Sequence, residues 1–408
     1  MRSVVVCATL ATALLPAGVS AQSLLLTEAE ALARLSSESP RVRAIRTGTD
    51  IVRAEALFAR RWPNPRFTLD RESVAGVTEY LTMVGQPLPI TGRRGLEVQS
   101  ATALVDASAA RTDDSLRRAR SDMRLAYAQL VTAQARERTL TEARDRLQGL
   151  ADILAKRENA GDAAGFDRLR AEREVSDLDA DLSAAATDRA RAQATIASFF
   201  ADTTDSSRII ATSEAAVTLG DIPSVDALVE RALMIRGEFV ALQKEADAAR
   251  FAGEAATRRR IPEPEVIAGT KSSTLGGGDI GSVVTVVAAI PLFDRGKPER
   301  ALADARARQA QAQADAFRLT LRSEIEALRA AVVERRHTAV RYRTAAVESA
   351  ADIERIARVS YDAGERGILE LLDAYRTGST ARMRQASLAF AARQAEIELE
   401  FVSGWEIP

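Results

Sequence analysis

The feature that most limits what this chain can fold into is an internal duplication. Arg61-Trp62-Pro63-Asn64-Pro65 recurs as Arg260-Ile261-Pro262-Glu263-Pro264, 199 residues later. Pro89-Ile90-Thr91-Gly92-Arg93 recurs as Pro291-Leu292-Phe293-Asp294-Arg295-Gly296-Lys297, with the prolines 202 residues apart. Asn159-Ala160-Gly161-Asp162 recurs as Asp362-Ala363-Gly364-Glu365 at an offset of 203. Three markers in one order and nearly one spacing divide the chain into two copies of one unit, residues 22–219 and 220–408.

Residues 1–21 read as a secretory signal peptide that precedes the first copy. Arg2 supplies the positive start, Val4 to Leu15 the apolar stretch, Pro16 and Gly18 the break, and Val19-Ser20-Ala21 the small-residue cleavage site. Cleavage removes Cys7, the chain's single cysteine. The expected mature protein is exported and has neither a disulfide nor a cysteine for a lipid anchor.

Each copy has the same order of elements. A helix is expected over about 27–60 and again over about 224–259, the first opened by a capping box in which Thr27 faces Glu30. Two extended segments follow, about 66–72 and 79–90, then about 265–271 and 282–290. Val283-Val284-Thr285-Val286-Val287 has the β-branched composition of a strand, and Gly276-Gly277-Gly278-Asp279 forms the loop of the second pair. A long helix without interior proline comes next, about 93–158 and 298–362. At 1.5 Å per residue its roughly 66 residues reach about 100 Å. Leu116, Ala119, Met123, Ala126, Leu130 and Ala133 step by three and four, as do Leu140, Ala143, Leu147, Leu150 and Leu154, and Leu321, Ile325, Leu328 and Val332. This is coiled-coil spacing. A glycine turn reverses the chain, and a shorter helix returns over about 165–200 and 367–402. The two shorter helices of a copy together match the long one, so each half is a hairpin rod with two strands at one end.

Composition agrees. Of 408 residues 79 are alanine, aromatics are 4 %, and only four of 56 basic residues are lysine. Alanine in the seams allows close helix approach. Net charge is −1, which excludes a bulk electrostatic case for nucleic acid. One His and one Cys exclude most His/Cys metal sites, and no cofactor is expected. No Walker loop, dinucleotide fingerprint or Ser/His/Asp set is present, and His337 reads as a surface residue among arginines. The chain is not expected to be an enzyme.

Four strands do not close a barrel, and open edges cannot face lipid. Two copies of the chain would give eight strands around a filled interior, three copies twelve around a pore. The alternative is a soluble hairpin capping a coiled coil. Alternation does not decide: Phe67 and Leu69 separate from Arg66, Thr68 and Asp70, but residues 80–84 do not sort cleanly.

The whole mature chain resembles the TolC family of outer-membrane efflux proteins. The resemblance rests on the duplication, on Trp62-Pro63-Asn64-Pro65, on Gln86-Pro87-Leu88-Pro89 before Gly92-Arg93-Arg94, and on Ile290-Pro291-Leu292-Phe293-Asp294-Arg295-Gly296-Lys297. It rests also on the run Ser360-Tyr361-Asp362-Ala363-Gly364-Glu365-Arg366-Gly367-Ile368-Leu369-Glu370-Leu371-Leu372-Asp373-Ala374. The segment from Gly161 to Arg170 looks most like the heavy-metal (CzcC-like) branch. The resemblance implies a mainly α fold with a small β part. Three subunits would share a twelve-stranded barrel in outer-membrane lipid and a long α-helical barrel in the periplasm. It implies as partners a periplasmic adaptor and an inner-membrane pump of RND type.

It also implies roles at the glycine turns. Tyr361 and Arg366 fall on the family's gating tyrosine and arginine, Asp167 on the aspartate they bond to, and Phe166 on the partner threonine position, which makes the constriction more apolar. Glu370 and Asp373, three residues apart on one helix face, match inward acidic positions. Three copies would form a ring of carboxylates attracting cations. Gly161, Ala163, Ala164, Gly364, Gly367 and Ile368 would meet the adaptor's helical hairpin. The function expected is a passive outer-membrane conduit of a tripartite efflux system, with heavy-metal cations as cargo. The alternatives are the same conduit for drugs or secreted protein, and a periplasmic coiled coil with no pore.

Overall fold

A computed structural model of the protein describes residues 23–160, 165–201, 204–212, 217 and 219–406. The expected signal peptide and the first glycine turn, with Gly161, Ala163 and Ala164, lie outside these residues. The first half runs β1 (Leu24–Leu26), α1 (Glu28–Ala33), α2 (Pro40–Arg60), β2 (Arg66–Val74), β3 (Val77–Pro87), α3 (Arg93–Asn159), α4 (Gly165–Ala197) and β4 (Ile209–Ala211). The second runs α5 (Val225–Ile235), α6 (Gly237–Arg258), β5 (Pro264–Ser273), β6 (Asp279–Ala288), α7 (Lys297–Tyr342), α8 (Ser349–Asp362) and α9 (Ile368–Ser403). A π-helical turn, Arg343–Glu348, joins α7 to α8. The chain is mainly helical with a small sheet part.

The 67-residue α3 is the spine, and at about 1.5 Å per residue it extends roughly 100 Å. It and α7 each start after a left-handed glycine, Gly92 (φ 75°) and Gly296 (φ 73°), so both rods leave the strands through the same sharp corner. Every expected seam residue of α3 from Ala119 to Leu154 is buried, and Leu116 is half-buried. In the second half Leu321, Ile325 and Val332 are buried, with Leu328 packed beside them. α3 packs α2 and α4 from its own half and α6 and α9 from the other. The core is therefore a series of clusters strung along the rods.

The first helix of each half is broken where one continuous helix was expected. In the first, Pro40 cannot sit inside a helix and instead opens α2, after α1 has ended at Ala33. The Thr27–Glu30 capping box is formed as expected. In the second, Arg236 is extended (φ −69°, ψ 111°) between α5 and α6. The reason is packing: a Cβ at Gly237 would overlap the Ala110 carbonyl, so α6 lies hard against α3 and needs its own entry angle.

The strands also exceed expectation. The described residues hold six, of which four form one sheet. The other two, β1 and β4, pair in parallel from Leu24↔Ile209 to Leu26↔Ala211. They dock on the middle of α3, where Tyr127 Oη donates to the Leu26 carbonyl at 2.9 Å and Gln134 bonds both backbone groups of Ala211. Three-residue strands are too short to show a period in sequence.

Candidate functional site

The four-stranded sheet has the order β2-β3-β5-β6, antiparallel throughout. The β3–β5 pairing, Glu79↔Ser273 to Pro87↔Glu265, sews the two halves together. Val74 and Val77 flank a two-residue turn in which Ala75 (φ 51°) and Gly76 (φ 81°) are both left-handed, as a tight hairpin requires. β2 and β6 are the outer strands and have no further strand beside them among the described residues.

Cross-strand partners share a face, so the register sorts the side chains. One face carries Phe67, Leu69, Tyr80, Thr82, Val84, Val266, Ala268, Ile280, Val284 and Val286. Its only charge is Arg71, whose guanidinium lies 5.9 Å from the Tyr80 ring centroid. The other face carries Arg66, Asp70, Glu72, Glu79, Glu265, Lys271 and Asp279. There Lys271 Nζ meets Glu79 at 2.6 Å, and Arg66 Nε donates to Glu265 at 3.1 Å. The sequence alone did not sort residues 80–84. Pairing does: Tyr80, Thr82 and Val84 go with Phe67 and Leu69, while Leu81 and Met83 lie opposite Asp70 and Thr68. A sheet whose charges gather on one face while the other is largely apolar is the pattern of a barrel wall between lipid and water.

At the far end, two helical hairpins form one tip. Leu147, Leu150, Ala151 and Leu154 of α3 pack with Ala171 and Val175 of α4, Ala357 of α8, and Ile368, Leu371, Leu372 and Ala374 of α9. α8 ends in a Schellman motif: Gly364 is left-handed (φ 75°), Glu365 N–H donates to the Ser360 carbonyl at 2.9 Å, and Gly364 N–H to Tyr361 at 3.0 Å. The residues expected to gate are all near this tip. Asp167 lies in the first turn of α4, where a carboxylate suits the helix dipole. Phe166 beside it is exposed, with Arg170 6.0 Å from its ring centroid. Tyr361 is half-buried against the tip cluster, and Arg366 is exposed in the turn. No hydrogen bond or ion pair joins Asp167 to Tyr361 or Arg366 within the single chain. Glu370 and Asp373 are both exposed on α9. Gly364 and Gly367 are exposed in the turn, whereas Ile368 is buried and holds the tip together.

Three arrangements of charge were not foreseen. Arg168 joins the two arms of the first hairpin, to Glu158 of α3 at 2.5 Å and Glu172 of α4 at 2.7 Å. Glu354 of α8 is buried in a notch over Gly378 of α9, bonded by Arg146 of α3 at 3.0 Å and Arg382 of α9 at 2.7 Å. Midway along the rods, Arg336, Glu396, Arg393, Glu28, Arg124 and Glu400 alternate in sign along one chain of ion pairs. Only the i,i+4 spacing of Arg168 and Glu172 and the i,i+3 spacing of Arg393 and Glu396 were visible in sequence. Among the described residues no group of His, Cys, Asp and Glu is arranged to hold a metal ion, and no helix is long and apolar enough to cross a membrane.

The molecule thus combines an amphipathic four-stranded sheet with long helical rods, of which the 67-residue α3 extends roughly 100 Å. Known proteins share that architecture. The family model described as outer membrane efflux protein matches residues 228–404, most of the second half. No curated protein matches over the sequence. Among solved structures, a membrane protein from Pseudomonas aeruginosa is 18 % identical, with 92 % of each chain covered and a TM-score of 0.78. The outer membrane protein VceC from Vibrio cholerae is 17 % identical over 93 % of this chain and 96 % of its own, with a TM-score of 0.75. The open-state MtrE outer membrane channel from Neisseria gonorrhoeae is 17 % identical over 93 % and 89 %, with a TM-score of 0.68. At these identities the likeness is one of fold, over essentially the whole chain.

Proposed function

We propose that the chain is one of three identical subunits of an outer-membrane efflux conduit of the TolC family. It would work passively with a periplasmic adaptor and an inner-membrane pump of RND type. The observation that carries this reading is the four-stranded sheet, with its charges gathered on one face and with two outer strands that have no further strand beside them among the described residues. In lipid every strand edge has to be paired, so β6 of one copy meets β2 of the next until twelve strands close. A periplasmic scaffold with no pore would have no use for an apolar sheet face, which disfavours that alternative.

The rods continue the conduit toward the pump. Asp167, Tyr361 and Arg366, with Phe166 narrowing the opening, form the gate across subunits. Glu370 and Asp373 provide a carboxylate ring that draws cations and disfavours anions. This ring and the likeness of residues 161–170 to the heavy-metal branch favour metal cations as cargo over drugs or secreted protein. The glycine turns around Gly161 and Gly364, with Ala163, Ala164 and Gly367, receive the adaptor tip to tip.

Recovery of heat-modifiable trimers from outer-membrane fractions tests the assembly; a soluble elongated monomer would overturn it. Single-channel recording of Asp167→Ala, Tyr361→Phe and Arg366→Ser tests the gate: each variant is expected to open more often than wild type, and unchanged conductance and open probability would refute it. Deletion of the gene is expected to lower tolerance to at least one transition metal; unchanged tolerance to all of them would refute the metal cargo.

A further inference from the structure

Where the strand wall joins the rods, the charge is one-sided. Residues 60–66, 88–97, 258–265 and 290–300 hold eleven Arg and Lys against five carboxylates. All five carboxylates are engaged. Arg93 takes Glu97 at 2.9 Å and Glu263 at 2.7 Å, Arg66 takes Glu265, and Arg259 takes Glu299 at 2.6 Å and Asp294 at 3.7 Å. Arg60, Arg61, Arg260, Arg295 and Lys297 are exposed and have no carboxylate partner among the described residues. What is left unbalanced at this level is entirely positive.

Local structure does not account for it. A cation at the end of α2 suits the helix dipole, but the last carbonyls there, those of Arg60 and Arg61, are already capped by Arg94. Lys297 stands at the start of α7, the positive end of a helix, where a cation is disfavoured. The same excess occurs in both halves of the duplication, with Arg60-Arg61 matched by Arg259-Arg260.

Large apolar side chains are interleaved with these cations. Phe293 is 99 % exposed, and Ile90, Ile290, Leu292 and Trp62 are each more than half exposed. Arg94 lies 5.1 Å from the Trp62 ring centroid. They lie in the segments that connect the strands to the rods, at the rod end of the sheet. Exposed aromatic and aliphatic groups mixed with arginine, next to an apolar band, are what the headgroup zone of a bilayer accepts.

We propose that this junction is a binding surface for anionic phospholipid headgroups of the leaflet that faces the rods. Arg60, Arg61, Arg260, Arg295 and Lys297 contact the phosphates, while Trp62 and Phe293 lie at the acyl boundary. The inference rests on the reading of the sheet as a membrane barrel, and the experiment separates the two.

The full-length mature protein is reconstituted into vesicles of phosphatidylcholine, or of phosphatidylcholine mixed with phosphatidylglycerol. Insertion is read by heat-modified gel mobility, and retained lipid by native mass spectrometry after detergent extraction. Wild type is expected to insert into both and to retain phosphatidylglycerol in preference by about tenfold, less at high salt. The variant R60Q/R61Q/R260Q/R295Q/K297Q is expected to insert but lose the preference. R173Q/R355Q, on the rods, is expected to keep it. Should the fivefold variant fail to fold, R60Q/R61Q and R295Q/K297Q serve separately, each losing part of the preference. Equal retention of the two lipids by inserted wild type, or an undiminished preference in the variants, overturns the proposal. Failure of wild type to insert into either vesicle overturns the barrel reading itself, and the lipid surface with it.

Discussion

Arg336 Nε donates to Glu396 Oε1 at 2.6 Å, and only 3 % and 8 % of the two side chains reach solvent. This pair ties α7 to α9 with water excluded, and it anchors the chain of alternating charges that reaches α1 and α3. A buried pair adds little net stability, because desolvating both ions offsets their attraction, but removing one partner strands the other. Glu396→Leu is therefore expected to destabilise the fold by about 3–5 kcal/mol. The double variant Arg336→Met, Glu396→Leu should recover most of that loss. Urea unfolding followed by circular dichroism measures both; a single variant as stable as wild type would contradict the pair's isolation from water.

Glu28, in the same network, gives the fold an acid limit. Burial by itself pushes its carboxyl up, but the charge of Arg393, then the hydrogen bond and charge of Arg124, outweigh burial and hold it below its ordinary 4.5. A group with a depressed folded-state value binds its proton more readily in the unfolded chain. Its contribution is fully present above about pH 4.5 and erodes as pH falls toward the depressed value. Unfolding measured at a series of pH values should show wild type losing stability below that point. Glu28→Gln should be less stable at neutral pH and less sensitive to acid. Equal slopes for the two proteins below pH 4.5 would remove Glu28 from the account.

How much of this was legible depended on how far a signal reaches along the chain. The long helices declared themselves through seam residues three and four apart, and α3 ends at Asn159 where about 158 was expected. The wall strands lie within a few residues of expectation because Pro and Gly punctuate them on both sides. The helix break at Pro40 follows from the proline itself and was readable in the sequence, whereas the break at Arg236 and the β1–β4 pair answer to contacts with α3. The charges of the ion-pair chain escaped for a related reason. Glu28, Arg124, Arg336 and Glu396 are spread over most of the chain, and in one dimension each looks like a solvated helix-face residue. For the candidate site, sequence supplied the tip residues through family resemblance, but the facing of residues 80–84 needed the β3–β5 register.

Glu354 and Gly378 make the tip's packing testable. The carboxylate of Glu354 fills the space over Gly378, so a methyl group there would overlap it. Gly378→Ala should expel Glu354 and break its bonds to Arg146 and Arg382, freeing α8 and α9 from α3. The expected cost is about 1–3 kcal/mol, through overpacking and a displaced buried charge. Glu354→Ala in the Gly378→Ala background should relieve the overlap while leaving Arg382 without its carboxylate and Arg146 with Glu142 alone. Hydrogen exchange of α8 and α9 amides reads the loosening directly. Unchanged protection in Gly378→Ala would show that Glu354 accommodates the methyl group.

The facing of the strand wall can be tested by one step along β6. Val284 pairs with Ala268 on the apolar face and is 74 % exposed; its neighbour Val283 pairs with Gly269 on the charged face. Sequence distance, strand propensity and side-chain volume are alike for the two, so any difference between them reports the environment of the face. An arginine on the lipid face of a barrel costs about 2–4 kcal/mol near the bilayer midplane, whereas a luminal arginine is hydrated. Val284→Arg should therefore lower the yield of inserted, heat-modifiable trimer and its unfolding temperature. Val283→Arg should leave both nearly unchanged and, in the proposed trimeric conduit, shift ion selectivity toward anions by adding one positive charge per subunit to the wall. If the two variants insert equally well, the sheet does not separate lipid from water, and the wall is not that of a membrane barrel.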